Sequence, residues 1–223
     1  LGLLRIYIVL SFLILGILGS TDLSGEEQGT IRKVENFSSF KAGSFPKGWK
    51  SRGGKGSDVY RIQSNNETYL EASAVNSAVT IAKKFTYDTK EYPFLLWQWR
   101  VLAVPQGADE RFKQTGDSAA AIYVIFKGRL RPDNLKYVWS ASLPSGTETE
   151  SPYNSKTKIM VLRNQSSPFG EWVHECVNVY ADYKKLFGRE PELVQAIGLM
   201  SDSDNTKSRA IAHYKGIMIR KGN

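Results

Sequence analysis

Phe94-Leu95-Leu96-Trp97-Gln98-Trp99-Arg100-Val101-Leu102-Ala103-Val104 is the stretch on which the fold turns. Leu95, Trp97, Trp99, Val101 and Ala103 fall on one side of an extended chain. Leu96, Gln98, Arg100, Leu102 and Val104 fall on the other. Alternation with a period of two, in residues rich in branched and aromatic side chains, is the pattern of a half-buried β-strand. Pro93 and Pro105 bracket it, as prolines do at strand ends.

Working outward from this strand, more of the same kind appear. Ala119 to Lys127 is apolar almost throughout and predicts a central strand covered on both faces. Ile31–Phe37, Trp49–Lys50, Val59–Gln63, Thr68–Ser73 and Val79–Phe85 read as strands before it. Leu135–Ser140, Lys158–Arg163, Trp172–Val179, Val194–Met200 and His213–Arg220 read as strands after it. The glycines of Ser51 to Ser57 predict a loop, and Pro144 to Tyr153 one long surface loop. Only Asn178 to Gly188 has helical spacing, with Val179, Tyr183, Leu186 and Phe187 on one side and Gly188 and Pro191 to stop it. Many strands, one short helix and no βα alternation predict an all-β fold of two antiparallel sheets packed face to face.

Several of these pieces together resemble the DUF3047 family of bacterial proteins, whose function is unknown. The resemblance lies in Gly48-Trp49-Lys50, Tyr69 to Ser73, Pro93 to Val101 and Asp117 to Val124. It continues through Tyr137-Val138-Trp139, Asn178 to Gly188 and Asp202-Ser203-Asp204-Asn205-Thr206. It spans roughly Phe37 to Arg220. The resemblance implies a jelly-roll-like β-sandwich similar to carbohydrate-binding domains and a secreted or periplasmic location. It implies no catalytic set. Where family patterns place two acidic residues before the alanine-rich strand, this chain has Gly116-Asp117.

Upstream of the strands, Arg5 precedes an uncharged apolar run from Ile6 to Leu18, followed by Gly19 and Ser20. A basic start, an apolar stretch and a small-residue exit form the order of a signal peptide. The run also approaches the roughly 20 residues that a spanning helix needs. Residues 1–20 are therefore expected to be a signal peptide or a retained inner-membrane anchor. Residues 21–29 read as a flexible lead-in, and residues 30–223 as a single sandwich domain placed in the periplasm or secreted. Contact with a membrane is expected only through residues 1–20, and only if they remain uncleaved.

The formal charge of +8 suits anionic surfaces such as an acidic envelope polymer. Lysines and arginines are scattered rather than clustered in runs, so nucleic acid is not an expected partner. The single cysteine, Cys176, can form no internal disulfide, and its valine neighbours predict a small buried hydrophobe.

Candidate functional residues follow from chemistry. A sugar ring stacks on an exposed aromatic while flanking polar groups hold its hydroxyls. Trp97, Trp99 and Trp139 are the aromatic candidates, with the sandwich core as their competing place. Gln98 and Arg100 lie on the opposite side of the same strand, and Arg100 between Leu96 and Leu102 calls for a carboxylate or an anionic ligand. Asp109 and Asp117 flank the turn before the central strand. Paired carboxyls among Asp109, Glu110, Asp117, Glu171 and Glu175 would suit glycosidic cleavage if two of them faced one another. Oxygens at alternate positions in Asp202, Asp204 and Asn205 could converge on a hard cation, which makes calcium the one cofactor the sequence raises. An Asx-rich turn that satisfies its own backbone is the competing reading. A zinc set from His174, Cys176 and His213 would depend on strand pairing.

Three functions remain open. A domain binding a glycan or another envelope component predicts an open groove bearing at least one exposed Trp or Tyr and an arginine. A structural or protein-interaction domain predicts that all five tryptophans are buried and that no concave site exists. A polysaccharide hydrolase or lyase predicts two opposed carboxylates.

Overall fold

The computed structural model describes residues 30–222. Residues 1–20 and the whole of the expected lead-in, residues 21–29, lie outside the described part. Among the described residues no helix is long and apolar enough to cross a membrane.

Thirteen strands form two sheets. The first sheet contains β1 (Ile31–Glu35), β3 (Tyr60–Ser64), β4 (Thr68–Val75), β6 (Phe94–Ala103), β11 (Val173–Asn178) and β13 (Arg209–Arg220). Its order is β11-β6-β13-β4-β3, and β1 lies against β13 beyond the end of β4. The second sheet contains β2 (Trp49–Arg52), β5 (Ala78–Tyr87), β7 (Ala120–Phe126), β8 (Asn134–Trp139), β9 (Glu148–Ser151), β10 (Asn154–Arg163) and β12 (Val194–Asp202). Its order is β2-β5-β12-β7-β8-β10-β9. Between the strands lie a single helical turn, α1 (Gly56–Val59), and the longer α2 (Val179–Phe187). The architecture is the expected jelly-roll-like β-sandwich with one short helix of substance.

The inner face of β6 shows why. Leu95, Trp97, Trp99 and Val101 are almost fully buried between the sheets. Trp97 meets Trp99 edge to face at 5.2 Å, Trp99 meets Trp139 at 5.8 Å, and Trp97 lies 6.0 Å from Tyr137. Each fully buried large apolar side chain contributes roughly 1.5–3 kcal/mol, so this aromatic column is a principal source of cohesion between the sheets. Tyr60, Leu70 and Ile219 face it from the first sheet, and Ile122, Tyr137 and Leu199 from the second. The central strand β7 is covered on its outer side too, where Ala121 joins Val138, Leu143, Ile159 and Val161 in a second apolar cluster.

Asn178 caps α2, its side chain accepting from Ala181 N at 3.0 Å, and Gly188 ends the helix in the left-handed conformation. The helix closes one end of the sandwich. Val179 N donates to Pro93 O at the head of β6, while Tyr183 packs 4.5 Å from Phe126 at the tail of β7.

Four expectations need correction. β10 runs parallel to β8. The segment after β8 folds back over the second sheet, with Gly146 N bonded to Val161 O and Leu143 packed outside, and carries the chain to the far end before β10 begins. The expected loop from Pro144 to Tyr153 contains edge strand β9, and the expected loop from Ser51 to Ser57 contains the end of β2 and the start of α1. Cys176 is exposed, not buried. Its neighbour Glu175 points inward instead, where Trp99 Nε1 and Arg163 bind it at 2.9 and 2.7 Å.

Candidate functional site

The three tryptophans read as a ligand platform are interior: Trp97, Trp99 and Trp139 have relative exposures of 2%, 0% and 0%. Period-two geometry sends them to the face that must be buried, and they present no surface to a ligand. Trp49 is also buried. Trp172 is the exception. It stands half-buried on the outside of the first sheet, immediately before β11.

Trp172 belongs to a cluster on the outward side of β4, β6 and β13. Arg100 lies 4.5 Å from its ring and 5.1 Å from that of Tyr69, and the Lys215 ammonium is 4.1 Å from the Trp172 ring. Contacts of this kind are cation–π attractions. The indole N–H of Trp172 donates to Glu67 Oε1 at 2.6 Å, and Lys215 pairs with the other carboxylate oxygen. Arg100 also reaches Glu67, at 3.8 Å. The lysine, the indole and the arginine together hold the Glu67 carboxyl below the usual carboxylate range, the hydrogen bond from Lys215 being the largest cause.

His213 sits beneath Arg100. Arg100 Nε donates to His213 Nδ1 at 2.9 Å, and the imidazole stacks on Tyr69 at 4.5 Å. An Nδ1 that accepts a hydrogen bond places the ring proton on Nε2, which faces Glu71 at 3.5 Å. Burial, reinforced by the Arg100 charge, lowers the imidazole from its ordinary 6.5 to about 4, so His213 is neutral at physiological pH.

Register sets these groups in rows. Arg61, Glu71, His213 and Arg100 are successive neighbours across β3, β4, β13 and β6. A second row places Gln63 beside Tyr69, and Gln98 between Lys215 and His174. At about 4.8 Å between strands, the first row crosses four strands and is about 14 Å long, and the second crosses five and is about 19 Å long. Beyond Glu71 the face opens into a cleft of about 360 Å³ lined by Asp58, Arg61, Glu71, Ser73 and Ser77. Planar hydrogen-bonding side chains, two half-buried aromatics and an open cleft thus share one surface.

The remaining candidates gather at the end of the sandwich away from α2. Asp117 is fully buried and accepts from Asn205 N at 3.2 Å, Thr206 N at 2.8 Å and Thr206 Oγ1 at 2.6 Å. Asp202 is buried, accepts from Ser118 N and faces Lys136, whose ammonium donates to Ser118 Oγ at 3.0 Å. Burial raises the Asp202 carboxyl to about 7 against the attraction of Lys136. It also raises Glu110, which accepts from Ser140 at 2.6 Å and has one oxygen without a partner. Asp204 is raised by burial and by the nearby charge of Asp117. The Tyr153 hydroxyl lies between Asn205 Oδ1 at 2.7 Å and Lys113 O at 2.5 Å. Asp109 stands apart in an exposed pair with Arg111.

The structure therefore joins Asp117 to the Asp202–Thr206 turn but does not assemble the expected calcium set. Asp202 is turned to Ser118 and Asn205 to Tyr153, so these two side chains bond neighbouring segments rather than the turn's own backbone. Among the described residues no group of three or more His, Cys, Asp or Glu side chains is placed to hold a metal ion. That covers His174, Cys176 and His213. Sequence reasoning found Arg100 and Gln98 but missed Trp172, Tyr69, Glu67 and Lys215. The alternation of Tyr69, Glu71 and Ser73 against Leu70, Ala72 and Ala74 is the signal that marks part of this outer face.

No curated protein matches the chain. Among solved structures, it is similar to the family 11 carbohydrate-binding module of the cellulosomal cellulase Lic26A-Cel5E of Clostridium thermocellum. The identity is 9%, the alignment covers 86% of this chain and 95% of that one, and the TM-score is 0.45. The family 30 carbohydrate-binding module of the Cel9D-Cel44B cellulase of the same organism aligns with 12% identity, 82% and 96% coverage and a TM-score of 0.45. Endoglucanase cel12A from Rhodothermus marinus aligns with 10% identity, 78% and 97% coverage and a TM-score of 0.41. The family described as "Protein of unknown function (DUF3047)" matches residues 47–218. That span runs from just before β2 into β13 and takes in both polar clusters: the chain belongs to the DUF3047 family.

Proposed function

We propose that the protein is a non-catalytic binding domain for a glycan of the cell envelope, working outside the cytoplasm, and that the outer face of the first sheet is its binding surface. The observation that carries this reading is Trp172 with Tyr69 and Arg100. They form a half-buried aromatic pair and a guanidinium, set between rows of planar polar side chains beside an open cleft. A pyranose needs an apolar ring to stack on and fixed donors and acceptors around it. Gln63, Gln98, Glu71 and Arg61 supply both kinds. The location is supported by Arg5 and the uncharged run that follows it.

The test is retardation in gels containing soluble polysaccharides, run beside a glycan array. Wild type is expected to bind at least one glycan, and Trp172→Ala and Gln98→Ala each to lose about tenfold or more in affinity. Retention of no glycan by the wild type overturns the reading. So do variants that bind as wild type does. A mass measurement on protein recovered from cells tests the location, because loss of residues up to about Ser20 is the expected product of export.

A second reading has one observation in its favour. Glu110 and Asp202 are both carboxyls lifted by burial, and Lys136 lies beside them. A polysaccharide hydrolase or lyase would use such groups as acid and base. Release of reducing ends or unsaturated products, abolished in Asp202→Asn, would favour it over binding alone.

A further inference from the structure

The end of the sandwich closed by α2 carries a feature that the glycan-binding reading does not use. Between β7 and β8 the chain turns through Lys127-Gly128-Arg129-Leu130-Arg131-Pro132, and all six residues are exposed. Leu130 is 95% exposed, the barest large apolar side chain among the described residues. The turn has a fixed shape. A β-carbon on Gly128 would stand 2.0 Å from Arg131 O, so no other residue fits there without moving the backbone. Lys127 N is bonded to Leu193 O at 2.8 Å, which brings Leu193, 43% exposed, to the base of the turn.

Three exposed cations share the turn with Leu130. Lys127, Arg129 and Arg131 form no ion pair with any described carboxylate, whereas Lys156 and Arg189 close by share the buried Asp133. Glu192 adjoins Leu193, and Glu190 just before it is paired with Lys90 and Lys184.

The chain reaches β1 at this same end. Ile31 pairs with Arg220, Arg220 with Phe94, and Phe94 with Asn178, the cap of α2. The described chain thus begins on the side where the tip projects.

We propose that the 127–132 tip rests on an anionic lipid surface, with Leu130 inserted among the acyl chains and Lys127, Arg129 and Arg131 at the phosphates. A leucine held bare between cations has no role against a soluble polyanion, which would need the cations alone. In a bilayer interface it gains burial while the long basic side chains reach the headgroups. Each basic residue near an anionic surface is worth about fivefold in affinity, so loss of both arginines is expected to weaken binding about twenty-fivefold.

The experiment uses the full chain with Cys176→Ser and a single new cysteine, Leu130→Cys or Val75→Cys, carrying an environment-sensitive fluorophore. Val75 is 63% exposed at the opposite end of the sandwich. Vesicles of equal parts phosphatidylglycerol and phosphatidylcholine are expected to shift emission from position 130 to the blue. Vesicles of phosphatidylcholine alone should not, and position 75 should respond to neither. The response at position 130 should fade at high salt and need about twenty-fivefold more lipid after Arg129→Gln with Arg131→Gln. The proposal is overturned if position 130 gives no shift on anionic vesicles or an equal shift on neutral ones. It is also overturned if position 75 shifts as much, or if dextran sulfate without lipid produces the same change. Failure here leaves glycan retention untouched, so the two readings stand or fall separately.

Discussion

Replacing Asp117 by alanine removes three hydrogen bonds that tie the start of β7 to the turn after β12. Asn205 N and Thr206 N lose their acceptor, while Thr206 Oγ1 keeps Ser208 Oγ at 2.7 Å. A hydrogen bond to a charged group is worth roughly 1.5–3 kcal/mol net, and a buried donor left unpaired costs a further 1–3 kcal/mol. Asn205 and Thr206 are only half-buried, so water partly replaces the lost acceptor. The two amides and the hydroxyl together then give about 3–4 kcal/mol. Asp117→Asn keeps one acceptor oxygen but turns an amide N–H₂ toward at least one donor, which predicts about 1–2 kcal/mol. With a urea dependence of about 2–3 kcal/mol per molar for a chain of this size, alanine should lower the unfolding midpoint by about 1.5 M and asparagine by about half that, both with unchanged slope. A midpoint moved by less than about 0.5 M in Asp117→Ala would refute the reasoning. Equal damage from the two substitutions would also refute it, since the geometry assigns the effect to acceptor oxygens rather than to packing.

Two buried titrations should oppose each other. His213 is lowered from 6.5 to about 4, so the folded state binds fewer protons, and its stabilising contribution is complete above pH 6.5 and lost as pH falls toward 4. Asp202 is raised from 3.8 to about 7, so its contribution is complete below pH 3.8 and lost as pH rises toward 7. Relative to wild type between pH 4.5 and 6.5, Asp202→Asn should make stability climb with pH and His213→Gln should make it fall, each by up to about 1.4 kcal/mol per pH unit; urea midpoints across that range check both signs. Trp99→Phe should cost about 1–2 kcal/mol more than Trp97→Phe in the same assay, because Trp99 gives up its bond to Glu175 while the Trp97 N–H is buried without a partner. Cys176 should react with a thiol reagent in the native protein as fast as in urea to within about tenfold, which mass spectrometry of timed samples will show.

The parts of the fold legible in the sequence are those where one local pattern suffices. Strand β6 was readable because each of its alternate residues meets either the core or the outer face along its whole length. Helix α2 was readable because Asn178, the apolar spacing and Gly188 agree. The parallel partnership of β8 and β10 was not, since it depends on Leu143 and Gly146 folding outside the second sheet, a tertiary choice that leaves no period in the chain. Cys176 shows the limit of composition. Valines on either side suggested a buried thiol, but Val173, Glu175 and Val177 share a face, and Arg163 and Trp99 make the carboxylate the inward member. The polar clusters follow the same rule. Arg100 and Asp117 could be named singly, but Asp117 meets Thr206, and Arg100 meets His213 and Trp172, only through pairings between distant segments.

The meeting of β1 with the last residues of β13 has a mechanical consequence. Ile31 pairs with Arg220, and Lys221 N is bonded to Thr30 O at 2.8 Å, so the two ends of the described chain leave the sandwich side by side. A load applied between them pulls along the inter-strand hydrogen bonds, perpendicular to the strands, so the bonds of β1 break one pair at a time from Ile31 inward. The five-residue β1 is therefore the element that yields first under tension, at low force. What it uncovers is Val34 and Glu35 with the Lys83 and Trp49 contacts, while the aromatic column between the sheets stays closed.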